Sequence, residues 1–351
     1  MPKGFKTYRL RMKYKIVICT ILFCITHTLK AQYYFYNDNY YDKPLLFEAG
    51  ISIGPMNSLT DLGGRVGKGK SGAKDLNIKS TTLYESIYMS AIYKNFLGLR
   101  LEGTAGMVKS KDSLLANSKS NGSIGRYNRN LSFRSHIYEI SLTTEFHPLE
   151  LLRTFDPEGA PPSFSPYLIG GVGYFHFNPQ ALLDSKWVDL RPLHTEGEGF
   201  SEYPKSKEYK LDQINIPLGV GLKYEFSGRF NLRLEYIVRK LFTDYLDDVH
   251  DKYIDPDVFS KYLAGTQLSQ ALILNNRVRA DAVPNLTTAR PFQRRGNPAD
   301  KDTYFTINIK AGFVFGRDRT GAGTGGGGGG GGGYKATSRS RKRALTCPVR
   351  F

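Results

Sequence analysis

The chain has 351 residues, a formal net charge of +17 and three cysteines. The charge sits at the ends: residues 1–31 hold seven Lys/Arg and no acid, residues 316–351 hold eight Lys/Arg and one Asp, and the body between them is nearly neutral, which excludes a basic nucleic-acid surface there. Cys19 and Cys24 fall in the leader described next and only Cys347 is left, which excludes a disulfide framework, a CxxC metal site and a cysteine nucleophile.

Lys3, Lys6, Arg9, Arg11, Lys13 and Lys15 precede the apolar run IVICTILFCITHTL, which ends at Leu29-Lys30-Ala31-Gln32. Basic region, short apolar region and small residue together predict a secretory signal over 1–31, cut after Ala31. An apolar run of about 14 residues is too short to cross a bilayer as a helix. Cys24 follows Phe23 rather than a small residue, against a lipoprotein signal. Residues 32–44 then form a Tyr-rich leader with Tyr33, Tyr34, Phe35 and Tyr36. No later apolar run has the length of a membrane helix, so the exported chain is soluble or crosses a membrane as strands.

Eight strands follow in chain order. Leu45–Gly54 places Leu45, Phe47, Ala49, Ile51 and Ile53 on one parity. Leu83–Tyr93 alternates less clearly. Phe96–Val108 sets Leu97, Leu99 and Leu101 opposite Arg100, Glu102 and Thr104, and Ser135–His147 sets Tyr138, Ile140 and Leu142 opposite Glu139, Ser141 and Thr143. Pro166–Pro179 is rich in glycine. Gln213–Phe226, Arg229–Arg239 and Thr303–Gly316 alternate cleanly again. Repeated period-two alternation argues strands over helices.

Short connections alternate with long ones, which is the layout of an eight-stranded antiparallel transmembrane β-barrel with short periplasmic turns and long extracellular loops over residues 45–315. Two stacked sheets would put many Lys and Glu on the polar parity; here that parity carries Gly, Ser, Thr and Asn with isolated charges. An eight-stranded barrel has an interior just wide enough for side chains to fill. Glu48, Arg100, Glu102, Glu139, Glu145, Lys223, Glu225, Arg233, Glu235, Arg239 and Lys310 are the charges expected to pair in it, since unmatched buried charge is costly. Tyr93, Phe96, Phe146, Tyr167, Tyr224, Phe230 and Phe315 lie at strand ends, where interfacial aromatic girdles form. Residues 316–351 read as a Gly-rich linker and basic tail that cannot build a core.

Signals for chemistry are sparse. Ser135-His136 and His176 fall near the outer rim and frame a rim enzyme acting on lipid A, a minor alternative, since a triad needs geometric register. Asp244, Asp247, Asp248 and Asp251 could hold Ca²⁺, but the EF-hand pattern is absent and the simpler reading is an acidic, partly helical loop surface. TEGEGF (Thr195–Phe200) reads as a turn over the barrel mouth. No cofactor, small-molecule substrate or nucleic acid is expected.

The succession FEAGISIGPMNSLTDL, SPYLIGGVGYFHFNP, LHTEGEGF, INIPLGVGLKYEF, NLRLEYIVRKLFTDYLDDV and RGNPADKDTYF resembles the PorG-like outer-membrane barrels of the type IX secretion system. The resemblance implies a non-enzymatic, multi-pass outer-membrane component of a secretion and gliding machine, embedded in outer-membrane lipid and anchoring a periplasmic ring lipoprotein and other secretion subunits. On that reading Tyr33–Tyr36 and the turn bearing His147, Leu149 and Arg153 are the expected ring contacts. The alternative is an adhesin or envelope-stabilising barrel acting through its extracellular loops.

Overall fold

The computed structural model describes residues 44–63, 77–116, 121–155, 164–279, 293–299 and 301–315. The expected signal sequence, the leader with Tyr33–Tyr36 and the tail at 316–351 lie outside the described residues. Alternation becomes strand at every predicted position: β1 (Leu45–Leu59), β2 (Thr82–Tyr93), β3 (Leu97–Lys111), β4 (Ser132–Phe146), β5 (Phe164–Leu183), β7 (Asp212–Glu225), β8 (Phe230–Leu241) and β9 (Thr303–Phe315). A further short strand, β6 (Lys186–Asp189), pairs only with the far end of β5.

The eight long strands follow chain order around the sheet, every pairing is antiparallel, and β1 pairs β9 from Phe47↔Phe315 to Leu59↔Thr303. The sheet therefore closes into an eight-stranded barrel with no free edge. Tight turns join β2 to β3 and β7 to β8 at the end where β1 starts and β9 finishes. Lys94 and Asn95 both take positive φ, 45° and 62°, the primed-turn geometry whose twist matches that of the flanking strands.

Parity then sorts the side chains. Ile51, Ile87, Leu101, Ile140, Val172, Val220, Leu234 and Ile309 stand exposed on the outside of the wall, and the buried polar set points inward. The second strand alternates weakly in sequence because Tyr84 and Tyr88 share its inner face with Ser86 and Ser90. Tyr167 corrects the girdle assignment: it is 2 % exposed and points inward, in space left by Gly221, where a Cβ would overlap its ring. Phe164–Tyr224, Phe226–Phe230, Phe230–Phe313 and Phe313–Phe315 make ring contacts with centroids 4.7–6.1 Å apart and form an aromatic belt at the short-turn end.

At the opposite end the strands run on past the predicted limits and the loops fold over the mouth. The cap contains α1 (Asn121–Arg129), α3 (Pro256–Tyr262) and α4 (Gly265–Asn275); α2 (Pro148–Phe155) lies instead at the short-turn end, between β4 and β5. Asp255 starts α3 by accepting from the Asp257 N–H at 3.1 Å, satisfying a donor the helix leaves free. One apolar cluster joins the top of the barrel to the cap (Met56, Tyr84, Phe133, Phe175, Leu246, Tyr304), and a second lies within the cap around Leu193, Phe200, Phe259 and Leu274.

Candidate functional site: a filled lumen under a folded cap

Strand parity brings the inner charges of β1, β3, β4, β8 and β9 together. Arg100 lies at the centre. Its Nε donates to Glu145 at 2.5 Å, Nη2 to Glu235 at 2.6 Å and Nη1 to Glu102 at 3.3 Å. Arg233 bridges Glu145 (2.7 Å) and Glu48 (2.6 Å), Lys310 bridges Glu102 (2.5 Å) and Glu235 (3.4 Å), and Arg239 holds Glu139 at 2.9 Å. These nine groups are buried. Five carboxylates thus meet four cations, and neutral donors supply the remainder: Tyr88 donates to Glu48 (2.6 Å), Tyr84 to Glu102 (2.7 Å), Tyr304 to Glu139 and Tyr167 to Glu235. Buried charge is tolerated only when its remaining lone pairs and protons are satisfied in this way. Sequence reasoning missed these tyrosines and placed one of them, Tyr167, on the outer belt; for Tyr84 and Tyr88 the parity they share with Ser86 and Ser90 was the available signal.

Both ends of the ionic layer are sealed. Leu46, Ile92 and Val314 cluster below it, and the apolar cluster that includes Phe133 and Phe175 lies above. Lys223 and Glu225, both among the charges expected in the lumen, pair with each other at 2.6 Å, near the end of β7.

The cap gathers three stretches far apart in sequence. TEGEG (Thr195–Gly199) is an irregular turn with Gly197 and Gly199 at φ +71° and +80°, a region open to glycine without Cβ strain. Glu196 accepts the N–H groups of His250 (2.9 Å) and Asp251 (2.7 Å) and pairs with Arg295 at 2.8 Å. Arg295, which begins the RGNP stretch, also donates to the Asp248 carbonyl at 2.6 Å. Asp248 accepts from Thr195 and Tyr209, both at 2.6 Å. Arg129 of α1 ties in Asp112 (2.8 Å) and the Asp61 carbonyl (2.8 Å). Burial pushes the Asp61 carboxyl up to about 6, and burial together with neighbouring carboxylates raises Asp247, Asp302 and Glu198 well above the ordinary range. Burial also raises Asp244, against the pull of its hydrogen bond from His250 at 2.7 Å.

TDYLDDV is therefore not an acidic surface. Asp244, Asp247 and Asp248 are buried acceptors: Asp247 takes the Leu62 N–H at 3.0 Å and caps Val249 at 3.1 Å. Among the described residues no three His, Cys, Asp or Glu side chains, Asp251 included, are arranged to hold a metal ion. His147 departs from its expected surface role. It is 1 % exposed, stacks on Tyr167 at 4.6 Å and hydrogen-bonds Ser165 (3.1 Å) and Glu145 (3.3 Å), so its ring plugs the lumen and has no face for a partner. Leu149 is exposed on α2, and Arg153 pairs with Glu150 at 3.4 Å. At the upper rim Ser135 is buried and accepts from the Asn178 N–H at 3.0 Å, while His176 meets Asp212 at 2.9 Å. Among the described residues no hydrogen bond joins Ser135 to His136 or His176, the register that a nucleophile–base pair needs.

A family model described as a domain of unknown function, DUF6089, matches residues 87–261, from the middle of β2 into α3. No curated protein matches the chain. Among solved structures, the barrel is similar to Ail, the attachment invasion locus protein of Yersinia pestis, at 11 % identity over 77 % of this chain and 99 % of that one, with a TM-score of 0.33. It is similar to Neisserial surface protein A at 7 % identity over 77 % and 97 %, TM-score 0.32, and to the E. coli outer membrane protein W at 13 % identity over 78 % and 97 %, TM-score 0.29.

Proposed function

We propose that the chain is an integral outer-membrane barrel that works as a non-enzymatic scaffold in type IX protein secretion and gliding, anchoring periplasmic ring proteins to the membrane. One observation carries the membrane part: a sheet whose eight long strands pair in a closed ring, apolar outside and ionic inside. In hydrocarbon every backbone amide must be bonded, and a closed barrel is the strand solution to that demand. Both ends of the barrel chain then face the periplasm, the cap lies outside the cell, and export depends on cleavage after Ala31. The secretion part is supported by the ordered resemblance of TEGEG, TDYLDDV and RGNP. A filled lumen leaves cargo to another protein, which fits an anchor.

Ring contact is assigned to Tyr33–Tyr36 and to α2, where Leu149, Leu152 and Phe155 are exposed at the periplasmic end. The test is co-purification from detergent-extracted membranes. Ring proteins are expected with the intact chain, with loss on deleting residues 32–43 or on Leu152→Asp with Phe155→Asp. Normal type IX cargo release in a deletion strain would overturn the assignment. A second reading, adhesion or envelope stabilisation through the outer surface, is favoured by the cap's own core; loss of adhesion with normal secretion would select it.

A further inference from the structure

We propose that a cleft on the outer rim of the barrel binds a phosphorylated lipid of the leaflet surrounding the cap, an inference that rests on the membrane reading above. The cleft has a volume of about 790 Å³ and is lined by Tyr174, Arg191, Lys210, Leu211, Asp212, Gln213, Ile214 and Phe242. Its apolar side is built by register. Tyr174 of β5 pairs Ile214 of β7, and the β7–β8 ladder, ending at Asn215↔Leu241, brings Phe242 to the same height. All three side chains are more than half exposed on the outside of the wall. Such a patch, large and apolar on the outer face of a closed barrel, belongs in acyl chains.

The other side of the cleft is cationic. Asp212, the one acid of the lining, is hydrogen-bonded by His176 Nδ1 at 2.9 Å. Arg191 donates Nε to the Tyr209 carbonyl at 2.9 Å, and its approach to Glu208, 3.5 Å, lies between two well-exposed side chains where water screens the pair. Lys210 makes no ion pair among the described residues, and neither does Lys240, which lies one register step below the cleft opposite Ile216 and is exposed. Apolar surface with positive charge above it at Arg191 and Lys210, and a further cation, Lys240, on the same outer face, matches the two halves of one molecule, acyl chains and a phosphate headgroup. Cations at headgroup height attract anionic lipid. A soluble anion would satisfy the cations and leave Tyr174, Ile214 and Phe242 without a partner, so the occupant is a lipid.

Native mass spectrometry of the detergent-purified protein, titrated with bisphosphorylated lipid A and with phosphatidylcholine, tests this. Retention of lipid A over phosphatidylcholine is expected, about tenfold weaker in a Lys210→Gln, Lys240→Gln variant and weaker for both lipids in Phe242→Ser. Equal retention of lipid A by the lysine variant, or full displacement by an equal concentration of inorganic phosphate, overturns the proposal. Vesicle flotation of the same samples separates the two levels. Insertion without phosphate preference removes this site alone, whereas failure to insert removes the membrane reading and the site with it.

Discussion

Arg100 shows most directly how single residues hold this barrel. It is fully buried and contacts Glu145, Glu235 and Glu102 from one guanidinium. Exchanging a whole buried ion network for apolar groups can be neutral, whereas removing one partner strands charge in a low-dielectric interior. Arg100→Met is therefore expected to cost about 3–5 kcal/mol, read from the midpoint of urea unfolding in lipid. Lys261→Met breaks only an exposed pair with Glu202 (2.8 Å) and should leave that midpoint unchanged; equal effects would mean that the lumen is wet. Gly221 makes a separate demand. Its missing side chain admits the Tyr167 ring, so Gly221→Ala forces that ring off Glu235 and should cost about 1–3 kcal/mol by overpacking in the same measurement.

At the scale of elements, the outward faces were legible because alternation needs only local sequence. Ile140, Leu142, Leu232, Leu234 and Ile309 are on the outside by parity alone. Placing Ile140 near mid-strand gives a direct test: Ile140→Arg should lower stability by about 2–4 kcal/mol when the barrel is folded in a bilayer, and no loss on refolding in lipid would argue that this face meets water. Strand β6 escaped the sequence reading because its turn, Asp184-Ser185 at φ 46° and 66°, uses residues less diagnostic than Asn-Gly or Asp-Gly for that geometry. The cap escaped for a different reason. Thr195, Asp248 and Arg295 meet only through long-range folding, and nothing in a run of acids tells a solvated loop from a buried acceptor. That burial has a pH consequence. A carboxyl whose folded pKa is raised stabilises the fold fully below its unfolded pKa and loses that contribution as pH rises through the folded value. For Asp61 the window runs from 3.8 to about 6; Asp247, which faces Asp61, Asp244 and Arg129, is raised in the same direction. Hydrogen exchange in the cap, corrected for intrinsic rate, should be slower at pH 4 than at pH 7, with strand amides unaffected. Asp247→Asn should flatten the difference, and faster exchange at the acid end would refute the sign.

For the molecule as a whole, the stacking of layers decides what can pass through. Leu46, Ile92 and Val314 close the short-turn end, the ion pairs of Arg100, Arg233, Arg239 and Lys310 fill the middle, and Tyr84, Phe133, Phe175 and Tyr304 close the top beneath the cap. An ion crossing this stack would have to separate matched charges and shed water twice in apolar layers, each a cost of several kcal/mol. Purified protein in a planar bilayer is therefore expected to show no conductance steps at moderate voltage, although the same preparation runs as a folded, inserted barrel. Emptying one layer should not suffice: Phe133→Ala with Phe175→Ala opens the upper seal but leaves the ionic layer, so this variant should also stay silent while unfolding more easily. Stepwise currents from the intact chain would show that the charged interior is a solvated path, and a scaffold would then be the wrong description of the barrel.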